Sequence, residues 1–305
     1  MKNLILSVYV LSLLTCTTAH KEPITAQLFG KEIISSELPE FATSLNADRT
    51  EVFFNRTLPD RSEMWIMQST LQNGVWTEAQ KLPFSTGEYL DVDPFLTPDG
   101  NRLYFSSTRP LVEGDPEQEE LDTWYVERQG NSWSSPINPG APLNSDSTEI
   151  FVSMTNSGNA YFVSESDGNR GIKVSRMDNG SYQPMEPVIL KLRGEAIYAS
   201  NPAIAYDESF IIVAVRDPQG NNTPDLFISW NTNGIWSELE NLGPLVNDPE
   251  YADFAPGISK DNRYLYFTSE RPGIVQAVEE GMRPPSDLYI VDLAQILSNA
   301  KEQGF

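Results

Sequence analysis

The chain has 305 residues, with 21 Lys plus Arg against 43 Asp plus Glu, a formal net charge of −22 that repels phosphate and argues against nucleic-acid or anionic-membrane partners. Its 39% hydrophobic and 10% aromatic content is enough to bury a core, so disorder is not the default. One Cys and one His, Cys16 and His20, exclude an intrachain disulfide, a thiolate zinc cluster, a multi-histidine metal site and a Ser-His-Asp triad, leaving acid–base chemistry to carboxylates, Tyr or Lys.

The first 19 residues have the three parts of an export signal: Lys2, an apolar run from Leu4 to Leu14, and small residues from Thr15 to Ala19. The run is shorter than the roughly 20 residues that span a bilayer. Cleavage after Ala19 competes with a lipoprotein signal ending before Cys16, in which Leu13-Leu14-Thr15-Cys16 leads to a lipid anchor on that Cys. Both routes place the mature chain outside the cytoplasm, as a periplasmic, outer-membrane-anchored or secreted protein.

From residue 24 onward the chain is organised by self-similarity. An extended segment at 24–28 precedes five repeats, at about 40–90, 91–144, 145–197, 198–249 and 250–292. The clearest copy runs Asp93-Pro-Phe-Leu-Thr-Pro-Asp-Gly100, Arg102-Leu-Tyr-Phe-Ser-Ser-Thr-Arg109, Asp122-Thr-Trp-Tyr-Val126, then Trp133. The fifth repeats most of it, from Asp253 through Arg263 to Arg271 and Asp287 to Val291, while the third is the most degenerate. Each unit reads as four short β-branched and aromatic strands separated by Pro-Asp-Gly, Asn-Gly or Asp-Asn turns. Four strands at this period make a propeller blade. The fifth blade runs out after its third strand, near Asp292, and segment 24–28 is available to complete it. Leu293, Ile296, Leu297 and Ala300 then share one face of a C-terminal helix within 293–305. The expected fold is therefore all-β: a single five-bladed propeller domain over 24–297, built of four-stranded blades, closed by the N-terminal strand and followed by a short helix.

The order acid-x-Pro-x-x-Ser/Thr-Pro-Asp-Gly, a strand ending Phe-x-Ser-x-Arg, then Asp-Leu-Tyr-Ile/Val resembles the TolB-type, WD40-like propeller repeat over about Glu40 to Asp292. The resemblance implies the fold and little about activity, because such propellers occur in periplasmic adaptors, ahead of peptidase domains and in sugar-acid lyases. The lyases use histidine ligands that this chain does not have to give.

Glu40, Asp93, Glu149, Asn201 and Asp253 open the repeats at spacings of 53, 56, 52 and 52 residues. They are expected to ring the mouth of the central channel, either capping neighbouring backbone or holding a hard cation such as calcium or a polyhydroxyl ligand. No cofactor is required. Arg56 with Glu63, Arg109 with Asp122, Arg216 with Asp225 and Arg271 with Asp287 read as one repeated structural ion pair, with Glu165 and Arg170 as its charge-exchanged copy. Trp76, Trp133, Tyr182 and Trp236 occupy one repeat position and are expected to pack between blades. Asp167–Asn169 and Asp217–Asp225 read as turns rather than calcium loops. Loops 110–121 and 272–286 break the repeat and emerge on the face of the ring, where they would wall a cleft above Glu40, Arg56, Asp60 and Arg61.

The ligand-binding candidates are thus Glu40, Asp93, Glu149, Asn201, Asp253, Arg56 and Arg61. The functional expectation is a monomeric, exported, non-enzymatic binding or adaptor propeller that recognises a protein or neutral glycan on the loop-bearing face. The alternative is a carboxylate-dependent glycoside hydrolase, which needs two carboxyl groups about 5–9.5 Å apart at the channel; no residue is assigned a catalytic role.

Overall fold

The computed structural model describes residues 25–166, 168–220, 223–274 and 284–302. Residues 1–24, where the expected export signal with Cys16 and His20 falls, Asp167, Asn221 and Asn222, 275–283 of the second long loop, and 303–305 lie outside the described residues.

Five antiparallel sheets follow one another along the chain, each led by an inner strand: Glu40–Leu45, Asp91–Leu96, Glu149–Met154, Ser200–Ile204 and Asp253–Ile258. The second strands are nearly continuous apolar runs because both faces of every blade are covered by neighbours. Side chains alternate between the two neighbours with period two. Phe54 faces blade five and Phe53 faces blade two; Phe105 faces blade one and Tyr104 faces blade three. The core is accordingly divided into five apolar clusters, one at each blade seam. The repeated aromatics serve these seams as expected. Trp133 meets Phe53 of the preceding blade edge-on at 5.8 Å, and Trp236 meets Tyr161 at 6.3 Å.

The ring closes through the N-terminal strand Gln27–Leu28, which pairs with the third strand of blade five in the register Gln27 opposite Ile290. Helix Leu293–Glu302 then lays Leu293 and Ile296 into the seam between blades four and five. The third blade, hardest to read in the sequence, is a regular four-stranded sheet whose outermost strand is Glu186–Pro187.

Every inner strand carries a bulge near its start, at its second to fourth residue. In each, one non-glycine residue is left-handed: Ala42, Asp93, Phe151, Asn201 and Ala255, with φ between 46° and 60°. An extra residue on one strand bends and twists it, and here the freed amide bonds across a seam. The Asp93 N–H donates to Asn55 Oδ1 at 2.7 Å, and the Ala42 N–H donates to Thr268 Oγ1 at 3.1 Å.

Candidate functional site

The inner-strand bulges divide the sequence candidates into two groups. Counted from the left-handed residue, the strands open on Glu40, Asp91, Glu149, Ala199 and Asp253. Asp93 and Asn201 stand two residues deeper. The expected five-membered polar ring is therefore not formed: in blades two and four the alignment was two residues out of register.

The openers are structural clasps. Arg56 Nε donates to Glu40 at 2.8 Å while its Nη2 reaches the Ile34 carbonyl at 3.1 Å. Arg109 bridges Asp91 at 2.6 Å and the Phe84 carbonyl at 2.7 Å; Arg271 bridges Asp253 at 2.6 Å and the Val246 carbonyl at 2.5 Å. In three blades the Arg thus ties the opener to the segment arriving from the previous blade, in place of the third-strand acids Glu63, Asp122 and Asp287 expected from the sequence. Asp122 instead accepts from the Asn138 amide at 3.0 Å, and Asp287 from the Ile274 N–H at 3.0 Å. Blade three uses hydroxyls: Ser145 and Ser164 both donate to Glu149, each at 2.7 Å. The Glu165–Arg170 pair is present at 2.6 Å, on the surface.

A second repeated device escaped the sequence reading. Asn144 and Asn247 each grip the backbone of a third strand by both edges, at Thr123 and Leu226, and Ser35 and Ser85 do the same work more simply at Leu288 and Ile66. The signal was available as Gly140-Ala-Pro-Leu-Asn-Ser145 beside Gly243-Pro-Leu-Val-Asn-Asp248.

Burial pushes the Glu40 carboxyl up to about 7, against the hydrogen bonds from Ser36 and the charge of Arg56. It also raises Asp91, Glu149 and Asp253, against their Arg or Ser partners. The sign follows directly. Where the folded pKa exceeds the unfolded one, the native state holds more protons, and stability falls as pH rises through that window. For Glu40 the window runs from 4.5 to about 7. Asp99, Asp207 and Asp261, held below the usual range by serine, threonine and backbone donors of their turns, lose stability on acidification below about their unfolded value of 3.8. The thermal midpoint is therefore expected to peak near pH 5 and to be lower at pH 8, in scanning calorimetry at constant ionic strength; a rise from pH 5 to 8 would contradict the burial of these acids.

The deeper residues line the central channel, a cavity of about 60 Å³ that includes Thr43, Asp93, Pro94, Phe151, Asn201 and Pro256. Asp93 is its single carboxylate. No described group hydrogen-bonds Asp93 Oδ1, and burial alone drives its carboxyl well above the usual range. Arg61 lies apart, in the loop joining the second and third strands of blade one, with φ of 58°.

Two surface features sit on opposite faces. Loop 110–121 is anchored at its far end, where Thr108 donates to Glu117 and the Gln118 N–H donates to the Thr108 carbonyl at 2.9 Å. Its tip exposes Leu111 and Val112, each to 62%. On the face of the Pro-Asp-Gly turns, an open groove of about 700 Å³ is bordered by Arg102, Tyr104, Glu127, Met154, Tyr182 and Lys260. Lys260 crosses from blade five to donate to the Pro98 carbonyl of blade two at 2.7 Å. Among the described residues no helix is long and apolar enough to cross a membrane, and no three His, Cys, Asp or Glu are grouped to hold a metal.

Solved structures share the architecture. An α-L-arabinofuranosidase from Lactobacillus brevis superimposes with a TM-score of 0.55 at 12% identity, over 86% of this chain and 93% of that one. A thermostable family-43 glycoside hydrolase gives 0.50 at 10%, over 87% and 91%. TolB from Acinetobacter baumannii gives 0.45 at 15%, over 84% of this chain and 55% of that one. What the arabinofuranosidase and the family-43 hydrolase share with this chain is the fold. No family model and no curated protein sequence matches the chain.

Proposed function

We propose that the chain is an exported, non-catalytic binding propeller that engages a protein partner through loop 110–121. The observation that carries this reading is the state of the channel. Glycoside hydrolysis takes two carboxyl groups and a sugar-sized opening. The cavity here is about 60 Å³ with one carboxylate, and Glu40, Asp91 and Asp253 are committed to Arg clasps. The loop offers the opposite: a fixed base, an apolar tip at Leu111 and Val112, and exposed Glu113, Asp115, Glu117, Glu119 and Glu120 around it. Such a surface suits a partner whose apolar pocket is rimmed by Lys or Arg.

A second reading, a neutral glycan in the groove of the opposite face, is favoured by that groove's volume of about 700 Å³, which falls in the usual range for small-ligand sites. A photo-crosslinking residue placed at Leu111 and, separately, at Ile235, which is 75% exposed on the turn face, distinguishes them. We expect one discrete protein adduct from position 111 and none from 235. No adduct at 111, together with saturable glycan binding lost in Tyr182→Ala, would replace the first reading with the second.

A further inference from the structure

One repeated clasp is missing from blade three, and a pocket opens beside the group it would hold. Strand registers place Ile66, Thr123, Ile172, Leu226 and Leu288 at one position of the third strand. In four blades the N–H at that position donates to a side-chain oxygen of the segment leading into the next blade: Ile66 to Ser85 and Thr123 to Asn144 at 2.9 Å, Leu226 to Asn247 at 2.8 Å, Leu288 to Ser35 at 3.2 Å. Ile172 is the exception. Its carbonyl accepts from the Val188 N–H at 2.8 Å, so its own N–H points to the same edge of the strand, yet no described group accepts from it. The linker is the cause: after Val188 it turns into the hairpin Lys191–Ala196 and brings in no Ser or Asn. An open pocket of about 430 Å³ lies at that edge, with Ile172, Val188, Leu190 and Ile197 among its lining residues and Arg170 and Tyr198 on opposite walls. Arg170 Nε donates to the Tyr198 hydroxyl at 2.9 Å, which places the guanidinium between the walls, and Glu165 holds its Nη1 at 2.6 Å. No described group accepts from Arg170 Nη2, and the Tyr198 hydroxyl keeps its own proton to donate. No Asp or Glu lines this pocket, although the chain carries 43 of them.

Ile172 is 4% exposed, and a backbone N–H in such a place calls for an acceptor. We propose that this pocket binds a small carboxylic acid with an apolar body. One carboxylate oxygen accepts from the Ile172 N–H, in the role that a Ser or Asn oxygen has in the other four blades. The second accepts from Arg170 Nη2 and the Tyr198 hydroxyl. The apolar body lies against Ile172, Val188, Leu190 and Ile197. Charge and donor count select this class: a carboxylate only accepts, and its hydrogen bonds to a guanidinium are charge-assisted, whereas an amine would bring donors to donors. The volume lies at the small end of the range for small-ligand sites. The site is separate from the tip of loop 110–121 and from the turn-face groove, so it stands whichever of those engages a partner.

The test is amide hydrogen exchange and a nitrogen-15 NMR titration with 3-phenylpropionate, beside 3-phenylpropanol, which has the same apolar body and no charge. Without ligand, the Ile172 amide is expected to exchange about tenfold or more faster than those of Ile66, Thr123, Leu226 and Leu288. Adding 3-phenylpropionate should slow that exchange and shift the Ile172 resonance saturably. Arg170→Gln should weaken binding about ten- to hundredfold, the usual loss for a hydrogen bond to a charged group, and Tyr198→Phe should weaken it several-fold. Both side chains are nearly half exposed, so neither change threatens the fold. An Ile172 amide as protected as the other four would overturn the proposal. So would fast exchange that saturating 3-phenylpropionate leaves unchanged, which would mean that water alone serves the N–H. Equal affinity for 3-phenylpropanol, or undiminished affinity in Arg170→Gln, would remove the carboxylate from the site.

Discussion

Replacing Gly257 by Ala is expected to cost about 3 kcal/mol or more of folding stability, although the change adds one methyl group to a strand. A Cβ at Gly257 would lie 2.3 Å from the Thr43 carbonyl oxygen, with the Thr43 carbonyl carbon at 3.4 Å. The obstacle is backbone, not the end of a flexible side chain. Overpacking typically costs about 1–3 kcal/mol when side chains can yield, and here the yielding group is the inner strand of blade one where it meets blade five. That seam closes the ring, so relief at it moves the axis of two blades. Gly171→Ala is the control: its Cβ would meet nothing within 4 Å and its backbone is not left-handed. It is expected to stay within about 0.5 kcal/mol of wild type. Denaturant unfolding of the two variants measures the contrast, and equal stabilities would show that the blade five–blade one contact is looser than the structure has it.

Arg271→Met is expected to cost about 3–5 kcal/mol, the usual penalty for removing one partner of a buried ion pair. The Asp253 side chain has no exposure and the Arg271 side chain 17%. Without the guanidinium, Asp253 keeps the Asp248 N–H at 2.6 Å, and the Val246 carbonyl loses its donor. The double variant Arg271→Met, Asp253→Asn should recover much of the loss, because the charge that was expensive to bury is gone. By contrast, Arg102→Ala breaks a pair with Glu127 in which both side chains are 46% exposed, and pairs of that kind contribute about 0–1 kcal/mol. A cycle in which Arg271→Met is as mild as Arg102→Ala would remove the clasp from the account of the fold.

These two sites also show what could be read from the chain beforehand. Blade number, strand content, closure by the N-terminal segment and the terminal helix were legible because they depend on local patterns: apolar runs, turn dipeptides and a missing fourth strand. The level of the channel residues was not. Even spacing favoured Asp93 and Asn201 as partners of Glu40, yet the side chains sort by the bulge, which inserts a residue and moves everything beyond it. Pro94, Pro202 and Pro256 occupy one place after the bulge, and counting back three from them gives Asp91, Ala199 and Asp253, the true register. The Arg partners failed for a related reason. Nearness in sequence pointed across the hairpin mouth to Glu63, Asp122 and Asp287, while the arriving linkers carried carbonyls in need of donors. The loop 110–121 anchor is a departure from the repeat and has no second copy to betray it, while the groove beside Tyr182 forms where residues of blades two, three and five meet, which repeat spacing does not show.

The central claim is that this propeller binds without catalysing glycan cleavage. Reducing-end release from arabinan, xylan and aryl glycosides by purified wild type and Asp93→Asn tests it most directly. The account predicts release at the buffer rate for both proteins across pH 5 to 8. Turnover by wild type that falls at least a hundredfold in Asp93→Asn would contradict it, because the single carboxylate of a channel of about 60 Å³ would then be doing chemistry.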